Sequence, residues 1–551
     1  MVVLFLKSLT TLAVLFGLVF AIGVAVLYTM EAPLWLAVAF AVFIGALQYA
    51  ISPYILQWIL KIRWLPIEQV DAAQARYLQE ACRQYSIPLP RFGIIEDGNP
   101  NAFTFGHYPG NARVVVTRGL LDICDEREVR GVIAHELGHI AHWDFVVMTI
   151  AATVPLVLYM IYRFGIRAGS GRNRNGGGVV LVAVAAFIAY IISQYIVLGL
   201  SRLREYYADE FSARATRDAN ALASALVKIA YGLARAAKVR QQEEGVAQLS
   251  AVSAGGVQML GIFDAKFGAS MALASASGYS AASRSYAPDA ATNAMRWDIW
   301  NPWAIICELG SSHPLPAKRI RALGRLASRV GQMPAYSVPD RAPESYWDEF
   351  LVDAFYNYLP LLGLLAGAAA GAGIAAGGMM QQWVAALGAG LFGLGIGSLI
   401  KLGFSYPLNR FQQAQVADLV PHVKVSKIRC IPAILRGRII GRGIPGLYWS
   451  EDLVIQDNSG FMTMDYRQPL GILEFFFGLF RAEKFVGQDV TVEGWYRRFP
   501  IPFLEIYKVY LPSGEVHTSH NRGVAKALAM LLSAAGLLTF VFGLIAQMGI
   551  A

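Results

Sequence analysis

The chain has 551 residues, 56% of them hydrophobic and only 15% charged, with a net charge of +9. A soluble domain carries about 25% charged residues, so a mean hydropathy of +0.44 excludes an ordinary soluble protein and indicates one embedded in a membrane. The four cysteines, Cys82, Cys124, Cys307 and Cys430, form no CxxC pair, which excludes a zinc ribbon or dithiol redox motif.

Apolar runs occur near residues 5–29, 34–60, 145–162, 178–200, 355–376, 383–404 and 524–549. Each is long enough, or nearly so, to cross a hydrocarbon core of roughly 30 Å. The first is followed by a second after only Met30 to Pro33, which predicts an uncleaved hairpin rather than a signal peptide. Between residues 61 and 125 two strand-like runs flank the turn His107-Tyr108-Pro109-Gly110-Asn111, which predicts a hairpin tip with an exposed His107.

Residues 125–142 predict one helix. Asp125 and Glu128 have capping-box spacing, and Val129, Val132, Ile133 and Leu137 recur on one face. Within it lies His135-Glu136-Leu137-Gly138-His139, the pattern HExxH. One turn is 3.6 residues, so the two imidazoles share a face and can hold one Zn²⁺, while Glu136 can reach a water and take its proton. A third ligand is needed. Residues 155–165 contain no acid, and His142 and Phe145 stand where a longer histidine motif would need glycine and histidine. His142 lies near the ligand face and could compete for the metal, but a polar group ending the helix beside Asp144 is the preferred reading. The next acids, Glu205 and Asp209, follow the fourth apolar run and are again i and i+4. One can ligate metal while the other supports a ligating imidazole.

Four stretches in order, Asn101-Ala102-Phe103, HELGH at 135–139, Ser201 to Asp209 as SRxxEYxAD, and His313-Pro314 with Arg319-Ile320, resemble the HtpX-like membrane zinc metallopeptidases, relatives of the CAAX prenyl endopeptidases. The resemblance covers roughly residues 5–325. It implies a gluzincin-like α/β catalytic domain with one Zn²⁺ per chain on His135, His139 and Glu205, and Asp209 beside them. It further implies Glu136 as the catalytic base, with His313 assisting near the reacting carbonyl. A substrate backbone would lie along Asn101, Ala102 and Phe103, with Arg319 nearby. Substrates are expected to be membrane-protein segments or misfolded chains.

Beyond the sixth apolar run, short strands are predicted at 423–425, 435–440, 453–456, 461–466, 490–496 and 504–510, with a turn at Asp457-Asn458-Ser459-Gly460. They suggest a small, OB-like β-barrel, in which Trp495, Tyr496, Arg497 and Arg498 resemble a nucleic-acid face; packing against membrane or protease is the preferred reading, and no nucleic-acid partner is expected. The cluster Phe475-Phe476-Phe477-Gly478-Leu479-Phe480 is expected to form an exposed apolar patch. The stretch Ala251–Ala291, rich in Ala, Ser and Gly, reads as a linker.

The expected organisation is a multi-span α-helical membrane protein. It comprises a hairpin at 1–60, a peptidase domain at 61–354 containing a second hairpin at 145–200, a third hairpin at 355–404, a barrel at 405–522 and a final span at 523–551. Basic residues at Lys61, Arg63, Arg202, Arg204, Lys401, Arg410, Arg522 and Lys526 place the zinc helix and barrel in the cytosol of a plasma-membrane protein. Arg167, Arg172 and Arg174 oppose that orientation locally. Two other readings remain at this level: a catalytically silent scaffold whose barrel recruits partners, and an intramembrane site-2-type protease. The latter needs its motif inside an apolar span, whereas this one precedes a span.

Overall fold

The computed structural model describes residues 34–59, 62–69, 71–95, 101–170, 176–231, 276–277, 288–337, 341–374, 379–408, 410–442, 452–469, 474, 477 and 482–547. The expected span at 5–29 lies outside these residues, as do most of the 251–291 stretch and most of the 475–480 cluster.

Five helices among the described residues are long and apolar enough to cross a membrane: Asp144–Ile166, Gly178–Thr216, Trp347–Ile374, Gln382–Ser405 and Asn521–Ala546. Leu34–Ile59 adds a helix whose apolar part is shorter and which contains Pro53. Asp144–Ser170 and Gly176–Thr216 pair antiparallel, with Tyr162 against Phe187 and Tyr159 against Tyr190. The last three spans form a separate bundle held by backbone contact. A Cβ on Gly363 would meet Gly393 O at 2.2 Å, and one on Gly536 would meet Phe392 N at 2.3 Å. In lipid, where burial of apolar surface gives no bias between helices, such close approach is the main source of attraction.

Ahead of the last three spans, a four-stranded sheet lies beside the helices. β1 (Arg63–Trp64) pairs antiparallel with β2 (Arg91–Ile95), β2 parallel with β4 (Arg113–Thr117), and β4 antiparallel with β3 (Ala102–Phe105), so β3 is an edge. The tip of the β3–β4 hairpin is not the free loop expected. His107 is half-buried, with Nε2 3.0 Å from Ala50 O and its ring against Tyr49 and Tyr54 of the first described helix.

The C-terminal strands close into a five-stranded barrel. β5 (Ile431–Arg442), β6 (Leu453–Gln456) and β7 (Gly460–Asp465) form a meander. β8 (Asp489–Arg498) and β9 (Pro502–Tyr510) form a hairpin, and β8 joins β5 while β9 joins β7 in parallel. Asp457 Oδ1 accepts from Ser459 N and Gly460 N, making the predicted turn. Residues 423–425 are not a strand. The Val425 carbonyl instead accepts from Trp297 Nε1 and the Val423 carbonyl from Asn301 Nδ2.

The nucleic-acid reading of residues 495–498 fails for a physical reason: all four are buried. Arg497 donates to Glu505, and Arg498 to Asp298 of the helix Pro288–Trp300. Guanidinium groups committed inside the protein cannot meet phosphate. Phe477 likewise is buried, stacked 3.9 Å from Tyr466.

Candidate metal centre

Glu126–Ala141 forms because its first turn is capped from both sides. Asp125 Oδ1 accepts from Arg127 N and Glu128 N, and Glu128 Oε2 accepts from Asp125 N at 2.7 Å. Val129, Val132, Ile133, Leu137 and Ile140 pack into the domain core, which fixes the rotation of the helix. His135 and His139 then face the helix Gly176–Thr216, whose Glu205 and Asp209 face back. Gly138 permits the approach, since a Cβ there would lie 2.9 Å from Ala208 Cα.

Ligand atoms of His135, His139 and Glu205 all lie within 4.8 Å of one another. The two Nε2 atoms are 3.2 Å apart, and Glu205 carboxylate oxygens stand 3.6 Å from His135 Nε2 and 3.7 Å from His139 Nε2. Each imidazole is held from behind by a different acid. Asp209 Oδ1 is 3.0 Å from His135 Nδ1, and Asp144 Oδ2 is 2.7 Å from His139 Nδ1. A carboxylate there favours the Nδ1–H tautomer and directs the Nε2 lone pair toward the common point. Two neutral nitrogens and one carboxylate converging in this way fit a divalent zinc-type ion.

Asp144 was not foreseen. It reaches His139 because Glu126–Ala141 stops at His142 and the chain turns through Trp143, at φ 58°, before the next helix begins at Asp144. A non-glycine residue in that region costs about 1–2 kcal/mol. Arg204 pairs with Asp144 and donates to His142 O at 3.3 Å. His142 is therefore the helix C-cap, packed against Tyr207 and Phe211, and stands outside the converging trio.

Glu205 is also tied on its far sides. His313 Nδ1 is 3.0 Å from Oε1, and Arg319 Nη1 is 3.0 Å from Oε2. Arg319 meanwhile donates through Nε and Nη2 to both oxygens of Asp209, at 2.9 and 2.6 Å. Its guanidinium thus clamps the two acids together. The two acids also hold its pKa above the usual value against the cost of burial.

Glu136 accepts from Thr104 Oγ1 at 2.6 Å, a residue of the edge strand that sequence reasoning overlooked. The signal was there: Thr104 is i+2 from Ala102 and so shares its face of the strand. Asn101, Ala102, His135, Glu136, His139, Glu205, His313 and Arg319 line one cavity of about 70 Å³. Phe103 points the other way, into a small cluster with Phe105, Val115 and Leu56.

Burial and the Arg319 charge push the His135 pKa down, but hydrogen bonds and charge from Asp209 and Glu205 outweigh them and raise it to about 9. His139 moves the other way, lowered by burial and by His135.

A metal site on a buried HExxH helix, ending where a long apolar helix begins, defines a membrane metallopeptidase. Residues 68–327 match peptidase family M48. The chain is 39% identical over 227 residues to a Protease HtpX homolog of Methanothermobacter thermautotrophicus, covering 41% of this chain and 84% of that one. It is 33% identical over 353 residues to a Protease HtpX homolog of Aeropyrum pernix, covering 60% and 100%. This chain belongs to peptidase family M48. Among solved structures, Ste24p of S. mikatae aligns with a TM-score of 0.33 at 17% identity, over 58% of this chain and 65% of that one.

Proposed function

We propose that this protein is a zinc-dependent endopeptidase with His135, His139 and Glu205 as ligands. The observation that carries the reading is the convergence of three ligand atoms whose two imidazoles are each backed by a separate carboxylate. Zinc bound there supplies Lewis-acid polarisation of a peptide carbonyl and makes a water acidic near neutral pH.

The chain's own residues do the rest. The edge strand at Asn101 and Ala102 holds an extended substrate backbone by adding a strand to the sheet. Glu136 takes the proton of the attacking water and returns it to the leaving nitrogen, oriented by Thr104. His313 holds Glu205 and, lining the cavity, stabilises the developing oxyanion. Asp209 and Asp144 keep the histidines in one tautomer, and Arg319 keeps Asp209 and Glu205 in register.

Substrates in this reading are membrane-protein segments or misfolded chains, met from the cytosolic side of the plasma membrane. The gluzincin-type core, the OB-like character of the barrel and the five-part division at residues 60, 354, 404 and 522 belong to the same proposal. Purified full-length protein should carry about one zinc per chain. Glu136→Gln should keep that zinc and cut casein about 10²–10⁴-fold more slowly. Full zinc occupancy in Glu205→Ala, lost on adding His142→Ala, would replace this ligand set.

A further inference from the structure

The barrel lies outside the residues matched by the family, yet its last β8 residue reaches the peptidase helices. Arg498 is buried, and its guanidinium donates to Asp298 Oδ1 at 2.8 Å, Ala294 O at 3.0 Å, Pro500 O at 3.2 Å and Val420 O at 3.3 Å. It also stands 5.0 Å from the Trp297 ring. The other oxygen of Asp298 accepts from Ala317 N at 3.3 Å. That N–H opens the helix Pro316–Arg329, where Leu315 at the N-cap has no side-chain acceptor to offer. Asp298 therefore serves as a cap supplied from a different helix, and its charge suits the positive end of the helix dipole. Two residues after Ala317 on this helix comes Arg319, which bridges Glu205 and Asp209.

We propose that Arg498 is a positioning residue of the metal centre, setting through Asp298 the first turn of the helix that carries Arg319. The proposal rests on the zinc reading above. A single apolar cluster runs from the peptidase core (Val114, Leu137) through Trp297 and Leu323 to the barrel (Leu435, Val492), so there is no soft joint at which the link is lost. Asp298 is itself buried, and removing Arg498 takes a charge-assisted hydrogen bond from a buried carboxylate, which displaces the cap rather than merely loosening the surface.

The test uses full-length protein in detergent and follows zinc loss to excess chelator together with kcat and KM. Arg498→Met should release zinc about tenfold faster, the size expected when support behind a ligand set is lost, and lower kcat with KM unchanged. In an Arg319→Lys background the same substitution should add little, because the effect passes through Arg319. Wild-type zinc retention in Arg498→Met, or an effect that multiplies in full on Arg319→Lys, would overturn the proposal in favour of simple glue between domains. Should Arg498→Met fail to fold by circular dichroism and gel filtration, Asp298→Asn serves instead. It keeps an oxygen for Ala317 N while removing the charge, and unaltered zinc release there also overturns the idea. A wild-type chain that binds no zinc brings down the metal reading and this proposal with it. Zinc-loaded wild type with an indifferent Arg498→Met brings down only this one.

Discussion

Gly138 and Ala208 lie so close that a Cβ on the first would sit 2.9 Å from the Cα of the second and 3.2 Å from its Cβ. One belongs to the HExxH helix, the other to the helix bearing Glu205 and Asp209, so this contact sets the spacing across which the ligands meet. The obstacle is backbone and cannot rotate away. Gly138→Ala should therefore push the two helices apart, costing about 1–3 kcal/mol of stability and weakening zinc retention. Thermal unfolding and chelator competition on the variant check this; wild-type behaviour in both would show that the helices yield freely.

The two acids behind the histidines are expected to act independently, because they hold different rings. Asp144→Asn and Asp209→Asn should each lower zinc affinity by roughly 10- to 100-fold. Each substitution strands a buried arginine, Arg204 or Arg319, but Asp209→Asn should be the more harmful, since Arg319 also holds the ligand Glu205. Equal, wild-type metal content in both variants would reduce these contacts to helix packing.

The pH dependence follows from His135. Without metal it binds a proton up to about pH 9, raised from 6.5, and zinc must displace that proton. Apparent zinc affinity should then fall as pH is lowered below about 9, by about tenfold per unit where only this proton is exchanged. The metal-free fold behaves oppositely. Its folded-state pKa is the higher one, so the stabilisation is complete below 6.5 and is lost as pH rises through about 9. Chelator competition and denaturant unfolding of metal-free protein, each across that window, measure the two trends; metal-free protein that grows more stable toward alkaline pH would contradict the assignment.

Orientation can be read with single cysteines, as three native thiols are buried and Cys430 is half-buried. The antiparallel pair between His139 and Glu205 must return to the side it left, because both residues meet at one point. Asn175→Cys should react with an impermeant thiol reagent on intact cells. Met333→Cys, 89% exposed in wild type, should react only after lysis. Reaction of the second in intact cells would invert the orientation.

The motif helix, its capping box and the facing pair Glu205 and Asp209 were legible because each depends on spacing within one helix. Asp144 was not, because its role requires a break at Trp143 that no periodicity announces. Thr104 was legible only as the i+2 neighbour of Ala102, and its contact with Glu136 shows once the edge strand is set against the motif helix. Arg497 and Arg498 left a nucleic-acid face open as the less favoured alternative for a related reason. Neighbours on a strand point to opposite faces, and two exposed-looking cations give no sign that both faces are covered, one by Glu505 inside the barrel and one by Asp298 of the peptidase domain.

His139 precedes Asp144, the first residue of a candidate span, by only five positions. The break at Trp143 folds the two together, so that His139 Nδ1 and Asp144 Oδ2 are 2.7 Å apart. If its substrates are membrane-anchored chains, as proposed above, that closeness acts as a built-in yardstick. A chain anchored by its own span and running extended at ~3.3 Å per residue would present to the centre a bond only a few residues from where it leaves the bilayer. Bonds far out on a long loop would have to double back, so cleavage sites should cluster by distance from the lipid before they cluster by side chain.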